Sequence, residues 1–147
     1  MNAYKHTQRG ALIIIAMLVM SVAFIIIGAT VSWPVLAAVP APLLCGWLFH
    51  SLTIEIADGE LRWHFGPGLI HKRVRLDEIS SAQRARTNVL EGWGIHLSRF
   101  GWLYNISGFD AVAITLKSGK RFALGTDKVD ALLTAIDSAL GVPRFAG

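Results

Sequence analysis

Acidic residues are absent from the first 50 positions of this 147-residue chain, and cysteine occurs only once, at Cys45. A single cysteine excludes an internal disulfide framework and a site built from several thiolates. Aspartate and glutamate are rare inside lipid, so their absence from an apolar stretch marks the first third of the chain as a membrane segment. The domain that follows is expected to be held together by packing alone.

A dense basic stripe is also missing. The formal net charge is +4, and Lys5 and Arg9 stand alone in the first third, whereas the rest of the chain carries twelve basic residues against ten acidic ones. Nucleic-acid-binding proteins concentrate lysine and arginine on one face. We therefore expect no nucleic-acid partner.

The residues from 11 to 31 carry no charge and read ALIIIAMLVMSVAFIIIGATV. As an α-helix they would extend about 30 Å, the thickness of a bilayer's hydrocarbon core. We predict transmembrane helix 1 over residues 11–31, after a cytoplasmic tail over 1–10, because Lys5 and Arg9 favour the inner side. A cleaved signal peptide is the alternative, although this run is longer than the apolar region of a signal peptide.

A second uncharged segment, WPVLAAVPAPLLCGWLF, covers residues 33–49. We predict transmembrane helix 2 there, with Trp33 and Trp47 at opposite interfaces. Pro40 and Pro42 should kink this helix, and a re-entrant loop is the alternative. Two spans predict a two-pass protein of the bacterial inner membrane with both termini in the cytoplasm.

The remaining residues, 50–147, have the alternating pattern of β-strands. Leu52, Ile54 and Ile56 form a period-two stripe, and Asp58-Gly59 is a strong hairpin signal before the next alternating strand. Further strands are predicted near 69–76, 79–90, 93–106, 111–117 and 121–125, which gives about seven in all.

The C-terminal segment changes to helical spacing, with Val129, Leu132, Leu133, Ile136 and Leu140 on one face. Asp127 is expected to cap the start of this helix, and Gly141 to end it. Short strands followed by one amphipathic helix predict an all-β sandwich or barrel that is closed by a C-terminal α-helix.

Three motifs resemble the bacterial pleckstrin-homology-like (PH-like) proteins, a family of small membrane-attached domains. They are Trp93-Gly94-Ile95, the run GWLYNISG over residues 101–108, and Gly125-Thr126-Asp127. The resemblance covers the whole soluble part. It implies two orthogonal antiparallel sheets of about seven strands with a C-terminal helix, and it carries no catalytic residues.

Basic side chains on two predicted neighbouring strands are candidates for contact with anionic lipid headgroups, or with a protein partner. They are Lys72, Arg73, Arg75, Arg84 and Arg86. Solvated strand charges without a ligand are the alternative.

The glycine-rich run from 92 to 108 supplies aromatic candidates for a partner-binding platform, namely Trp93, Trp102 and Tyr104. The alternative is that these rings fill the core or rest on the bilayer. No histidine, cysteine and carboxylate set has metal-ligand spacing, and no nucleophile elbow flanks a serine.

These features predict a membrane-anchored PH-like interaction or scaffold module at the inner leaflet. Its expected partners are the lipid bilayer and either anionic lipid, an unidentified protein or a second copy of the chain. We expect no catalysis, cofactor or metal. An accessory subunit of a larger membrane enzyme or transporter complex is the alternative, since Pro40 and Pro42 could help to line a cavity.

Overall fold

A computed structural model describes residues 2–91 and 94–141 of the chain. The first long element is helix α1, Ala11–Thr30, which confirms a helix where the first apolar run predicts one. It has twenty residues and no charge, and most of its side chains are exposed. Among the described residues it is the one helix long and apolar enough to cross a membrane.

The second apolar segment is not one continuous helix. A 3₁₀-helix covers Trp33–Ala38, and helix α2 covers Pro40–Leu48. Each begins with proline among its first residues, since proline lacks the N–H that an ongoing helix requires. The nine residues of α2 extend only about 14 Å. The predicted second transmembrane helix over 33–49, and the two-pass topology derived from it, are therefore not supported.

The broken segment nevertheless returns along α1. The helix has no room for a side chain at Gly28, because a Cβ there would collide with Leu36. Nearer the start of α1, a Cβ on Gly46 would lie 3.2 Å from the Cβ of Met17. Small residues allow such close backbone approach, as they do between helices in membranes. Residues 11–49 form a helical hairpin, called the hairpin below.

Residues 2–9, expected to lie in a tail outside the soluble domain, form a strand instead. Strand β1, Asn2–Arg9, pairs antiparallel with β2, Ser51–Ala57, on the far side of the hairpin. The amide of Gly10 donates to the carbonyl of His50 at 2.8 Å, where the two strands meet the hairpin. The hairpin is therefore an insertion between adjacent strands of one sheet.

The first sheet continues through β3, Glu60–Phe65, and β4, Ile70–Arg75, in the order β1-β2-β3-β4. Asp58 and Gly59 have φ of 53° and 76°, the left-handed conformation that a tight hairpin turn requires. This confirms the turn that the Asp-Gly pair predicts.

The second sheet has five strands, in the order β5-β8-β9-β7-β6. They are β5 Ile79–Arg86, β6 Gly94–Ser98, β7 Gly101–Asn105, β8 Asp110–Leu116 and β9 Arg121–Gly125. Every pairing in the described residues is antiparallel except β7 with β9. In the described part of the range 93–106, the predicted single strand is instead two strands, β6 and β7. With β1 added, residues 2–91 and 94–141 contain nine strands where about seven were expected.

The inner faces of the two sheets share one core with helix α3, Val129–Leu140. Gly141 ends α3 in the left-handed conformation, as predicted. The cap predicted at Asp127 is wrong: no side chain caps α3, and the Asp127 carboxylate lies 2.6 Å from Nε2 of His6. Strand β1 brings that histidine alongside, so the carboxylate has a partner that the local sequence does not reveal.

Candidate functional site

The predicted basic candidates do not form one patch. Strand β4, which carries Lys72, Arg73 and Arg75, is the end strand of the first sheet. Strand β5, which carries Arg84 and Arg86, is an end strand of the second. The prediction that these strands are neighbours is wrong, because a change of sheet lies between them at residues 76–78.

Two of these arginines are held by carboxylates. Arg75 makes a two-pronged hydrogen bond to Asp77, at 3.1 and 2.6 Å. Arg84 donates to Asp130 of α3 at 2.5 Å. Both pairs are exposed, and exposed ion pairs contribute about 0–1 kcal/mol to stability. Both arginines are therefore engaged within the fold and are less available to a binding partner.

Lys72 and Arg73 behave differently, because they line a cleft with two of the predicted aromatic residues, Trp102 and Tyr104. The cleft has a volume of about 510 Å³. Strands β3 and β4 of the first sheet form one wall, and the second sheet forms the other. Four of the eight predicted site residues therefore lie together, although Trp93 lies outside the described residues.

The cleft has an aromatic floor, formed by Trp63, Tyr104 and Phe122. The rings of Trp63 and Phe122 stack with centroids 5.0 Å apart and planes at 19°. Trp63 meets Tyr104 edge to face at 5.2 Å. Such pairs contribute about 0.5–1.5 kcal/mol beyond their burial. The floor is consequently built as part of the core.

The two predicted rings on β7 differ in exposure. Tyr104 is 8% exposed and Trp102 is 53% exposed, although both sit on the same face of the strand. Burial raises the pKa of the Tyr104 phenol above its usual value of 10.0, because burial penalises the phenolate. Tyr104 thus belongs to the floor, whereas Trp102 stands at the mouth with a large apolar surface in water.

The cleft's rim is cationic, with Lys72, Arg73, Lys120 and Arg121 among its lining residues. Sequence reasoning missed Lys120 and Arg121, which directly follow the turn between β8 and β9. The signal that could have found them is the Ser118-Gly119 turn itself, which places both at the end of a hairpin.

Carboxylates are scarce around this rim. Within the described residues only Arg73 has one within 4.0 Å, at 3.9 Å from Glu60, and Glu60 is more closely held by Arg62 at 2.8 Å. That hydrogen bond from Arg62 is the main cause that lowers the pKa of the Glu60 carboxyl. Because Glu60 is largely satisfied by Arg62, the rim keeps a positive field directed at solvent.

A second feature is the edge of the sandwich from which the hairpin emerges, called the basal edge. It comprises Gly10, His50, the turn at 66–69 and the loop at 106–109. Phe49 packs edge to face on Phe65 of β3, with centroids 5.2 Å apart. On strand β1, Gln8 donates to the carbonyl of Ser107 at 3.2 Å. Hairpin and sandwich therefore share continuous packing.

Gly66 lies at the centre of this junction. It has a φ of 43°, and a Cβ there would lie 2.5 Å from the carbonyl oxygen of Leu48 and 2.8 Å from that of Trp47. The turn after β3 is thus pressed against the last turn of α2. Any movement of the hairpin is expected to displace the turn as well.

No group of three or more histidine, cysteine or carboxylate side chains that could hold a metal ion occurs within residues 2–91 and 94–141. The three motifs at 93–95, 101–108 and 125–127 contribute only Ile95, Trp102 and Tyr104 to the lining of the cleft, and they do not define its ligand. Comparison of the chain with family models, with curated proteins and with solved structures finds no match.

Proposed function

We propose that the chain is a membrane-anchored interaction module with a PH-like domain, held at the cytoplasmic face of a bacterial inner membrane and acting without catalysis. The hairpin is the anchor, and the cleft is the surface that receives a partner. The observation that carries this proposal is the insertion of an apolar hairpin between two paired strands, with Gly10 bonded to His50 at its base.

The return of the hairpin is not a single transmembrane helix. We propose that it nevertheless lies in the bilayer beside α1, and the lengths of the two arms support this. The twenty residues of α1 extend about 30 Å, enough to cross the hydrocarbon core. The return consists of six residues of 3₁₀-helix and nine of α-helix, which together extend about 26 Å. Because both ends meet at the basal edge, a hairpin that enters the bilayer has to return to the side it left.

Charge supports the cytoplasmic orientation. Lys5 and Arg9 of β1 precede the hairpin, and all other charged residues follow it in the chain, so no charge has to be translocated. Positive residues beside a span are retained on the inner side. At the basal edge the exposed side chain of Leu69 would meet the lipid interface beside Trp47.

The cleft's composition supports binding rather than chemistry. Its lining contains aromatic, aliphatic and cationic side chains, and none of these twelve residues is a carboxylate, histidine, serine or cysteine. General acid–base and nucleophilic catalysis depend mainly on those missing types. Aromatic rings beside cations are instead typical of interaction surfaces.

Single-cysteine accessibility tests the anchor. With Cys45 changed to Ala, we introduce Ser32→Cys at the tip of the hairpin and Ser118→Cys on the β8–β9 turn as its matched partner. A membrane-impermeant maleimide should label the tip only from the outside of intact spheroplasts, and the turn only in inverted vesicles.

Carbonate extraction supplies a second readout, in which the protein should stay with the membrane pellet. Release by carbonate would overturn the anchor. Labelling of Ser118→Cys from the outside would overturn the orientation. A tip that stays unlabelled from both sides would mean that the hairpin stops inside the bilayer.

A further inference from the structure

We infer that the cleft binds an extended segment of a soluble protein, and that this segment lies along the free edge of β4. The segment carries acidic side chains together with aromatic or aliphatic ones. This inference rests on the proposed interaction function and names the chemistry of its partner. Three observations carry it: the charge of the rim, the position of that charge relative to the basal edge, and the unpaired edge of β4.

The charge selects an acidic occupant. Lys72, Lys120 and Arg121 have no carboxylate within 4.0 Å among the residues that the structure describes. The half-exposed ring of Trp102 lies in the same cleft. A partner that carries both carboxylates and an apolar side chain would satisfy the cations and cover the ring together.

The position of the charge favours a protein over the anchoring bilayer. The end of β9 that lies towards the basal edge is Gly125, which packs on the side chain of Asn105. That side chain in turn bonds Ser107 and Gly108 of the basal loop. Arg121 lies at the opposite end of β9, about 13 Å along the strand. Headgroups at the basal edge would not reach it, whereas a segment arriving from the cytoplasm would.

The edge of β4 supplies a binding mode. Within residues 2–91 and 94–141 this strand ends the first sheet and pairs only with β3, so half of its backbone hydrogen-bonding groups face away from the sheet. Ile70, Lys72 and Val74 alternate toward the cleft. An added strand would pair with the backbone of β4 while its own alternate side chains enter the cleft.

Basic residues on β4 would also make this pairing selective. Lysine on an edge strand discourages pairing with ordinary strands, and it disfavours a second copy of β4 most of all, since like charges would face one another. An acidic strand removes that repulsion. Repulsion of wrong partners and attraction of the right one thus come from the same side chains.

Fluorescence anisotropy tests the inference, with the full chain in nanodiscs of neutral phosphatidylcholine. The probe is a fluorescein-labelled synthetic peptide in which glutamate alternates with phenylalanine and isoleucine. We expect saturable binding that weakens about tenfold or more in the Lys120→Glu, Arg121→Glu double variant. Lys117 is also exposed at the turn between β8 and β9 but lies outside the cleft, so the Lys117→Glu variant should bind the probe as the native chain does.

Hydrogen exchange identifies the edge. Bound probe should slow exchange of the amides over 70–75 of β4 and leave those over 94–98 of β6 unchanged. Protection of β6 instead, or equal binding by the double variant, would overturn the inference. So would binding of a matched peptide with lysine in place of glutamate.

Vesicles containing phosphatidylserine provide the lipid arm, and they should not compete with the probe. Full competition would assign the cleft to lipid and overturn the inference. If the peptide tests fail but the chain still resists carbonate extraction, the inference about the cleft is wrong and the proposed membrane anchor is retained. The two failures are therefore distinguishable.

Discussion

The amide nitrogen of Gly10 lies 2.8 Å from the carbonyl oxygen of His50, and this bond joins the two ends of a hairpin that spans residues 11–49. The same glycine approaches the side chain of Ile106, with a Cβ position only 3.4 Å away. The base of the hairpin is therefore bonded next to the first sheet and lies against Ile106, which directly follows β7 of the second sheet. Its internal packing and its junction with the sandwich lead to separate predictions.

Gly28→Val should destabilise the hairpin, because the added side chain would occupy the space that Leu36 fills. Overpacking of this kind costs about 1–3 kcal/mol. Thermal unfolding in detergent micelles, followed through protease resistance of the apolar segment, measures the loss. Ala29→Val is the matched control, since Ala29 is exposed on the next position of the same helix.

Leu36→Ala should restore much of the stability lost in Gly28→Val, because it vacates the space that the valine needs. The double-variant cycle separates this coupling from the effect of either change on helix propensity. Additive losses in the cycle would contradict direct packing between these two positions.

Gly66→Ala should loosen the junction between hairpin and sandwich. Its Cβ would lie 2.5 Å from the Leu48 carbonyl oxygen, and its φ of 43° is unfavourable for alanine by about 1–2 kcal/mol. Gly119→Ala also has a positive φ, of 87°, but open space around it, so it isolates the backbone cost from the collision. Chemical denaturation should show a larger loss for Gly66→Ala, and equal losses would refute the close contact.

Tyr104 should ionise above pH 10. Burial raises its pKa in the folded protein above the value of 10.0, so the unfolded chain releases the phenolic proton first. The resulting stabilisation of the folded state is complete below pH 10 and is lost as the pH rises through the folded pKa. Phenolate absorbance of a Tyr4→Phe variant, which leaves Tyr104 as the only tyrosine, measures the midpoint.

The same titration in guanidinium chloride is the control and should return to about 10. The free energy of unfolding should also fall as the pH rises above 10. A native midpoint at or below the denatured one would contradict burial of the Tyr104 phenol in the cleft floor.

Asn105→Ala should lower stability by about 1–3 kcal/mol, since buried partners lose their hydrogen bonds. The amide of Asn105 is fully buried, donates to Gly108 at 3.0 Å and accepts from Ser107 at 3.2 Å. Asn88→Ala is the comparison, because Asn88 makes a similar local turn but is exposed. Denaturant midpoints should shift clearly for Asn105→Ala and little for Asn88→Ala.

Sequence patterns correctly predicted the elements whose conformation depends on residues close together in the chain. The alternation of Leu52, Ile54 and Ile56, the turn at Asp58 and the glycine stop at Gly141 depend on neighbours in sequence, and all three are confirmed. Strand β1 could not be recognised in the same way. Its partner, β2, lies more than forty positions away across the hairpin, and only tertiary pairing makes residues 2–9 extended.

The same distinction between local and tertiary determinants applies to the candidate site. Trp102 and Tyr104 alternate on one strand, so their shared face follows from sequence. Their meeting with Lys72 depends on which sheet edges face each other, and the change of sheet after Leu76 separates Arg84 from the residues it was grouped with. Sequence could propose the residues but not their neighbours.

Strand β1 also imposes an order on synthesis. It leaves the ribosome before the apolar hairpin, whereas its hydrogen-bonding partner β2 emerges only after the hairpin has been made. Until then β1 has no sheet to join, and loop-closure entropy delays its pairing further unless the hairpin has folded and brought Gly10 to His50. Assembly of the first sheet is thus tied to completion of the hairpin, so a chain whose hairpin fails to form would also lack an intact first sheet.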